Sequence, residues 1–229
     1  MKISELFHSI QGEGKLAGLP SVFVRTSGCN LRCVWCDTPY TSWSPEGGDV
    51  SLDEIVARTV AFKARHVVLT GGEPVIQPEA AELCTRLKQH GLHVTLETAG
   101  TIHKPLAIDL ASLSPKLANS TPWQRDGGRW AQTHERTRLN LPAIQQFIDQ
   151  SPDFQIKFVV SRREDLDEIR SVLDGLRNWS AEDVLLMPEG IDPAALRAKA
   201  EWIVELCKET GFRYCPRLHV DLWGPARGR

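Results

Sequence analysis

The sequence predicts an α/β protein, an open partial (β/α) barrel of about six mainly parallel strands, fewer than the eight a closed barrel of this kind needs. Three observations carry this. Apolar strand-like runs alternate with amphipathic helix-like segments roughly every 25–30 residues, the rhythm of βαβ units. Runs such as His66-Val67-Val68-Leu69-Thr70 are nearly continuous in apolar residues, as strands covered on both faces are. The runs end in polar or glycine-rich clusters, and in parallel α/β folds the ligand sits at the C-terminal strand ends. The 229 residues suit one domain, 1–229, and with 41% hydrophobic residues the chain can bury a proper core.

Taken in order, Lys2 to Ile10 alternates weakly and reads as a strand, followed by the polar turn Gln11-Gly12-Glu13-Gly14. That turn is either plain surface or a place where backbone approaches a ligand beside an amide and a carboxylate. Ser21 to Thr26 is a β-rich run carrying Arg25, which is either a solvated edge residue or a bidentate clamp for a carboxylate. Ser51 and Glu54 form a capping box ahead of Leu52, Ile55, Val56 and Val60. The strand His66–Thr70 stops at Gly71-Gly72-Glu73-Pro74. A helix over Pro78–His90 buries Cys84. Leu92–Glu97 and Leu106–Leu113 are the next strands, the former ending in Glu97-Thr98-Ala99-Gly100-Thr101 and the latter in Ser114-Pro115-Lys116. Residues 119–141 turn polar and read as an insert, a loop or lid. A helix at Ala143–Ile148 and a strand at Phe154–Val160 follow, with Ser161 and Glu164 as a second capping box. Val184–Met187 is the last strong strand, ending in Pro188-Glu189-Gly190. Asp192-Pro193 caps a helix over Ala194–Thr210, and Phe212–Val220 reads as an extended tail.

Composition excludes several classes. A net charge of −2 leaves no electrostatic footprint for nucleic acid or a membrane surface. No run of apolar residues is long enough to span a bilayer, and the start lacks the apolar core of a signal peptide. Cysteines crowded at one place and otherwise scattered fit a reducing compartment, so the expected location is cytoplasmic.

That crowded place is Gly28-Cys29-Asn30-Leu31-Arg32-Cys33-Val34-Trp35-Cys36-Asp37-Thr38. Cys29, Cys33 and Cys36 have the spacing C-x3-C-x2-C, which suits a metal or an iron–sulfur cluster. A structural zinc site needs four ligands, and no fourth Cys or His lies nearby, although Cys84, Cys207 or His219 could complete one from a distance. A cubane held by three thiolates leaves one iron open to bind a small molecule, and Trp35 would shield it from water.

The loop resembles the signature of the radical S-adenosylmethionine superfamily. The resemblance implies a 4Fe–4S cluster whose open iron takes the amino and carboxylate groups of S-adenosylmethionine, with Gly72 and Glu73 near the amino group. The wider set narrows it. Gln11-Gly12-Glu13-Gly14, Arg25, Cys36-Asp37-Thr38, Thr70-Gly71-Gly72-Glu73-Pro74, Ser114-Pro115-Lys116 and Leu218-His219 together resemble the 7-carboxy-7-deazaguanine synthase family. That family implies Mg2+-dependent conversion of 6-carboxy-5,6,7,8-tetrahydropterin to 7-carboxy-7-deazaguanine with loss of ammonia, toward queuosine and other deazapurines.

The resemblance assigns roles. Cys29, Cys33 and Cys36 hold the cluster, and Thr38 offers its hydroxyl to Mg2+. Trp35, Cys36, Asp37, Gly72, Glu73, Ser114, Pro115, Lys116, Met187, Pro188, Glu189 and Gly190 contact S-adenosylmethionine. Ile10, Gln11, Gly12, Glu13, Arg25 and Thr70 contact the pterin. The implied partners are the small pterin, an electron donor such as a flavodoxin or ferredoxin, and a second copy in a homodimer. Two other classes share parts of the pattern: an activase that places a glycyl radical on a partner protein, and a zinc-loop binding module.

Overall fold

The computed structural model describes residues 1–229. Its elements run β1 (Lys2–Ile10), β2 (Pro20–Thr26), α1 (Pro39–Ser42), β3 (Gly48–Asp49), α2 (Leu52–Ala61), β4 (His66–Gly71), α3 (Ala80–Gln89) and β5 (His93–Thr98). They continue with β6 (Leu110–Leu113), α4 (Ala131–Thr137), α5 (Leu141–Gln150), β7 (Asp153–Val160), α6 (Asp165–Asp174), β8 (Val184–Pro188), α7 (Pro193–Thr210), β9 (Arg213–Tyr214) and α8 (Leu218–Trp223). One sheet holds all strands in the order β3-β1-β2-β4-β5-β6-β7-β8-β9. From β2 to β9 the pairs are parallel and follow chain order, while β1 runs antiparallel to β2 and to β3. The parallel set from β2 to β8 is the expected open partial barrel. Its edges are the two-residue strands β3 and β9, so little unpaired backbone is left open.

Strand parity sorts the side chains into two sets. Val22, Val24, Val67, Leu69, Val94, Leu96, Ala111, Leu113, Ile156, Phe158, Val184 and Leu186 join the main core, together with Ile55, Leu83, Ile144, Phe147, Ile169 and Ile203 from the helices. Each fully buried aliphatic of this kind contributes about 1.5–3 kcal/mol. The alternate positions, among them Arg25, Thr70, Glu97, Ser112, Lys157 and Met187, line a cavity on the inner face. A register slip of one residue would exchange the two sets, so burial of the outer face also fixes the polar inner one.

Local signals account for most boundaries. Ser51 accepts the Glu54 N–H at the start of α2, Asn140 accepts the Ala143 N–H at α5, and Asp192 accepts the Ala195 N–H at α7. Helix α7 stops at Gly211, whose φ of 77° only glycine adopts readily. Four expectations change. The expected cap at Ser161 is replaced by Asp165, whose carboxylate accepts the N–H groups of Ser161 (2.7 Å) and Arg162 (3.1 Å). The strand expected over Leu106–Leu113 pairs only from Leu110. The weak first strand is a full nine-residue strand, because Phe7 stacks on Phe23 across the pair at 5.0 Å. The extended tail becomes β9 and α8: Pro216 interrupts the pairing and the chain turns helical at Leu218.

Candidate active site at the strand ends

Strand β2 delivers the cysteine loop, and the end of β4 lies against it. The Gly28 N–H donates to Thr41 O (2.8 Å), and Gly28 O accepts the Glu73 N–H (3.0 Å). A Cβ on Gly72 would sit 2.0 Å from Gly28 O, a backbone atom that cannot swing aside. Glycine at 72 is therefore the condition for the two turns to meet. Gly72→Ala is expected to displace the loop and cut iron incorporation, measured as iron per chain after anaerobic reconstitution.

The segment 119–141 braces the same loop from behind. Ser120 O accepts the Val34 N–H (2.7 Å), Asn119 O accepts Trp35 Nε1–H (3.1 Å), and Arg125 donates to Val34 O (2.8 Å). Buried His134 accepts the Arg32 N–H at Nδ1 (3.0 Å), which leaves its proton on Nε2, donated to Ser120 Oγ (2.9 Å). None of residues 119–141 lines the cavity, so this insert is a brace and not the lid that its polarity suggested. Burial pushes the His134 imidazole down to about 4. A histidine base depressed in this way lends stability above the unfolded value of about 6.5, and that stability is lost as pH falls toward 4. Wild type is expected to lose on the order of 2–3 kcal/mol across that window that a His134→Gln variant does not lose, read from denaturant midpoints at each pH.

Cys29, Cys33 and Cys36 all line the cavity. The Cys29 thiol accepts the Leu31 N–H (3.3 Å), and Cys36 Sγ lies 3.2 Å from Ser42 Oγ. Burial pushes Cys29 and Cys33 up to about 12, so loading a metal here releases protons. No set of three or more His, Cys, Asp or Glu side chains converges as a single metal ion would require. A cubane takes each thiolate on a different iron, and the loop fits that spread better than a mononuclear zinc site. Cys84 and Cys207 lie in the helix-side core, away from the loop, and cannot complete a zinc site.

The cavity holds about 560 Å³, the size of a small-molecule site. It brings together the cysteines with Ile10, Gln11, Gly12, Glu13, Arg25, Trp35, Asp37, Thr38, Thr70, Gly72, Ser114, Lys116 and Met187. Pro188, Glu189 and Gly190 line a smaller cavity of about 240 Å³, which shares Trp35, Cys36, Asp37 and Met187 with the first. Pro115 lines neither of the two. Glu73 does not line them either. It is fully buried, and its oxygens accept from Val75 N (3.2 Å), Thr98 Oγ1 (2.7 Å) and Ala99 N (2.9 Å). Burial raises its pKa despite those bonds. Its carboxylate holds the ends of β4 and β5 together, whereas the sequence offered it to a ligand ammonium.

Several contacts of the site are not evident in the sequence, although the polar strand end Glu97–Thr101 places Glu97 at the mouth. Glu97 accepts from Gln11 Nε2 (3.0 Å) and Thr70 Oγ1 (2.7 Å), linking two predicted ligand-binding residues. Glu13 is paired with Lys157 and with Arg217 (3.0 Å), and Arg217 also binds Asp37 and the Gly190 carbonyl. Burial opposes charge on Glu13, but Lys157 and Arg217 outweigh it and hold the carboxyl far below the usual range. This network ties the turn before β2 to the cysteine loop and the end of β8. Strand parity was the signal that could have found Lys157.

Comparison with known proteins agrees with this geometry. The model of the Radical SAM superfamily matches residues 23–117. Enzymes of that superfamily carry a 4Fe–4S cluster and use S-adenosylmethionine, the pair that the three-cysteine loop suits. The 7-carboxy-7-deazaguanine synthase of Halobacterium salinarum is 49% identical, covering 99% of this chain and 91% of its own. That of Rhodopirellula baltica is 44% identical, covering 99% and 88%. The crystal structure of QueE from Escherichia coli superposes with a TM-score of 0.71 at 27% identity, covering 95% of this chain and 94% of that one. The chain belongs to the 7-carboxy-7-deazaguanine synthase family of radical S-adenosylmethionine enzymes.

Proposed function

We propose that the protein contracts the ring of 6-carboxy-5,6,7,8-tetrahydropterin to 7-carboxy-7-deazaguanine with release of ammonia, a Mg2+-dependent step toward queuosine and other deazapurines. The observation that carries this reading is Arg25. Its Nε lies 2.8 Å from Glu5 Oε2 without the alignment of a hydrogen bond, and its guanidinium borders the cavity. A planar fork held open beside a small cavity suits a ligand carboxylate. The Gln11–Glu97–Thr70 row supplies donors and acceptors for the amide and amine edge of a pterin.

When bound, the cluster and S-adenosylmethionine supply a one-electron route to a radical that abstracts hydrogen. The chain's own residues bind and orient. Trp35 packs against Val159, Leu185 and Met187 and keeps water from the cysteine loop. Lys116, held by Ser114 O (2.8 Å) and Oγ (2.7 Å), lies 5.9 Å from the Trp35 ring and faces the same space. With Asp37, Gly72 and the Met187–Gly190 turn, these residues form the pocket for S-adenosylmethionine. Glu13 and Glu73 serve it as supports. Ile10, Gln11, Gly12, Arg25 and Thr70 face the pterin.

Thr38 occupies the N-cap position of α1 but makes no side-chain cap; its hydroxyl accepts from Thr41 Oγ1 (3.3 Å), lies 3.9 Å from Cys36 Sγ, and keeps a lone pair for a cation at the cavity. Mg2+ prefers oxygen ligands and takes few from protein. Thr38→Ala is expected to weaken activation by Mg2+ while S-adenosylmethionine is still cleaved reductively; an unchanged Mg2+ titration would remove Thr38 from the site.

The rest of the reading is one domain over 1–229, a flavodoxin or ferredoxin as electron donor, a homodimer and a cytoplasmic location. No helix is long and apolar enough to cross a membrane. Titration calorimetry of cluster-loaded protein with the pterin, S-adenosylmethionine and Mg2+ tests the reading: saturable binding is expected, and none would end it.

A further inference from the structure

The C-terminal segment returns to the mouth of the cavity. The Leu218 N–H donates to Gly12 O (2.9 Å), which seats the start of α8 beside the first turn. Helix α8 ends at Gly224, whose φ of 63° and ψ of −149° turn the chain back, and Gly224 to Arg229 then line the cavity. One side chain holds this segment. Arg227 lies 3.6 Å from the centre of the Tyr40 ring, 3.4 Å from Glu5 and 3.2 Å from Glu46.

Glu5 is where these contacts meet. It stands opposite Arg25 in the β1–β2 register, and its Oε2 takes the Arg25 ion pair at 2.8 Å and the Tyr40 hydroxyl at 2.9 Å. Its Oε1 faces Arg227. The Glu5 side chain is 14% exposed, so these charges are only partly screened. Glu46 is exposed at 57% and contributes little. At the cavity rim, two guanidinium groups therefore share one half-buried carboxylate. A ligand carboxylate at this rim would supply a second negative charge.

We propose that Arg227 clasps Gly224–Arg229 onto Tyr40 and Glu5 as a wall of the substrate cavity, and that Glu5 positions Arg25 for the substrate carboxylate. This rests on the carboxylated pterin proposed above. The wall would exclude water and bulkier substrates, and the clasp would set the angle of the Arg25 fork before substrate arrives. Pre-ordering of this kind lowers the cost of binding. Arg227 and Glu5 are positioning residues here, acting through Arg25 and the wall.

The first test needs no substrate. Trypsin must draw Arg227 into its own pocket to release Gly228-Arg229. Wild type is expected to lose that dipeptide several-fold more slowly than a Tyr40→Leu or Glu5→Gln variant, followed by intact mass. Equal rates in all three would overturn the clasp. In turnover, Arg227→Ala and a chain ending at Pro225 are expected to raise the pterin KM on the order of fivefold, more than they lower kcat. They should also raise the ratio of 5′-deoxyadenosine to product, with Arg227→Lys between them and wild type. An unchanged KM and ratio in both variants would overturn the positioning role. If wild type does not turn over the pterin, the proposed reaction fails, and the trypsin comparison alone decides the clasp.

Discussion

Cys29→Ala, Cys33→Ala and Cys36→Ala are each expected to abolish iron incorporation and activity, while Cys84→Ala keeps both. The first three thiols sit on one loop and line one cavity, so removing any of them leaves the cluster short of a ligand. Cys84 is fully buried among Val75, Leu83 and Leu87 on the helix side of the sheet. Its loss leaves a small cavity there, with a cost on the order of 1 kcal/mol and no consequence for iron. Iron and sulfide per chain after anaerobic reconstitution check this. Iron lost from Cys84→Ala at wild-type stability would contradict the three-ligand assignment.

Arg25→Ala is expected to weaken pterin binding by on the order of 2–5 kcal/mol, the usual cost of removing one partner of a shielded charge pair. The structure adds a distinction. Glu5 would keep the Tyr40 hydroxyl and Arg227, so the protein side of the pair is not orphaned. The loss should therefore fall on substrate binding and leave folding stability nearly untouched. Arg25→Lys keeps the charge without the planar fork and should recover only part of the affinity. Titration calorimetry with the pterin, beside a denaturant midpoint for each variant, separates the two effects. A loss of stability equal to the loss of binding would make Arg25 a structural residue. An activase acting on a protein chain would not bind the pterin at all.

Much of the barrel was legible because burial writes it into the sequence. The parallel strands β2 and β4 to β8 are short runs with apolar residues at successive or alternate positions, and each ends where glycine, proline or a polar residue stops it. The cysteine loop was legible because three thiols at that spacing have few other uses. What stayed hidden was direction. Glu73 reads as a free carboxylate at a strand end, and only the fold turns it inward to Thr98 and Ala99. Glu97 is legible as the polar end of its strand, but Lys157 sits inside a run that looks covered on both faces, so its place on the inner face emerges from parity alone. The Glu13–Arg217 pair joins residues 204 positions apart, a separation that no local pattern encodes. Residues 119–141 are polar because they bond to the loop backbone, yet polarity of that kind reads in sequence as an exposed lid.

The measurement that bears most directly on the central claim is anaerobic turnover. Cluster-loaded protein is incubated with a reductant, S-adenosylmethionine, Mg2+ and 6-carboxy-5,6,7,8-tetrahydropterin, and the products are followed by mass spectrometry. The account predicts 7-carboxy-7-deazaguanine and ammonia in equal amounts, dependent on S-adenosylmethionine and absent from Cys33→Ala. Cleavage of S-adenosylmethionine by the loaded wild type with the pterin recovered unchanged would contradict it.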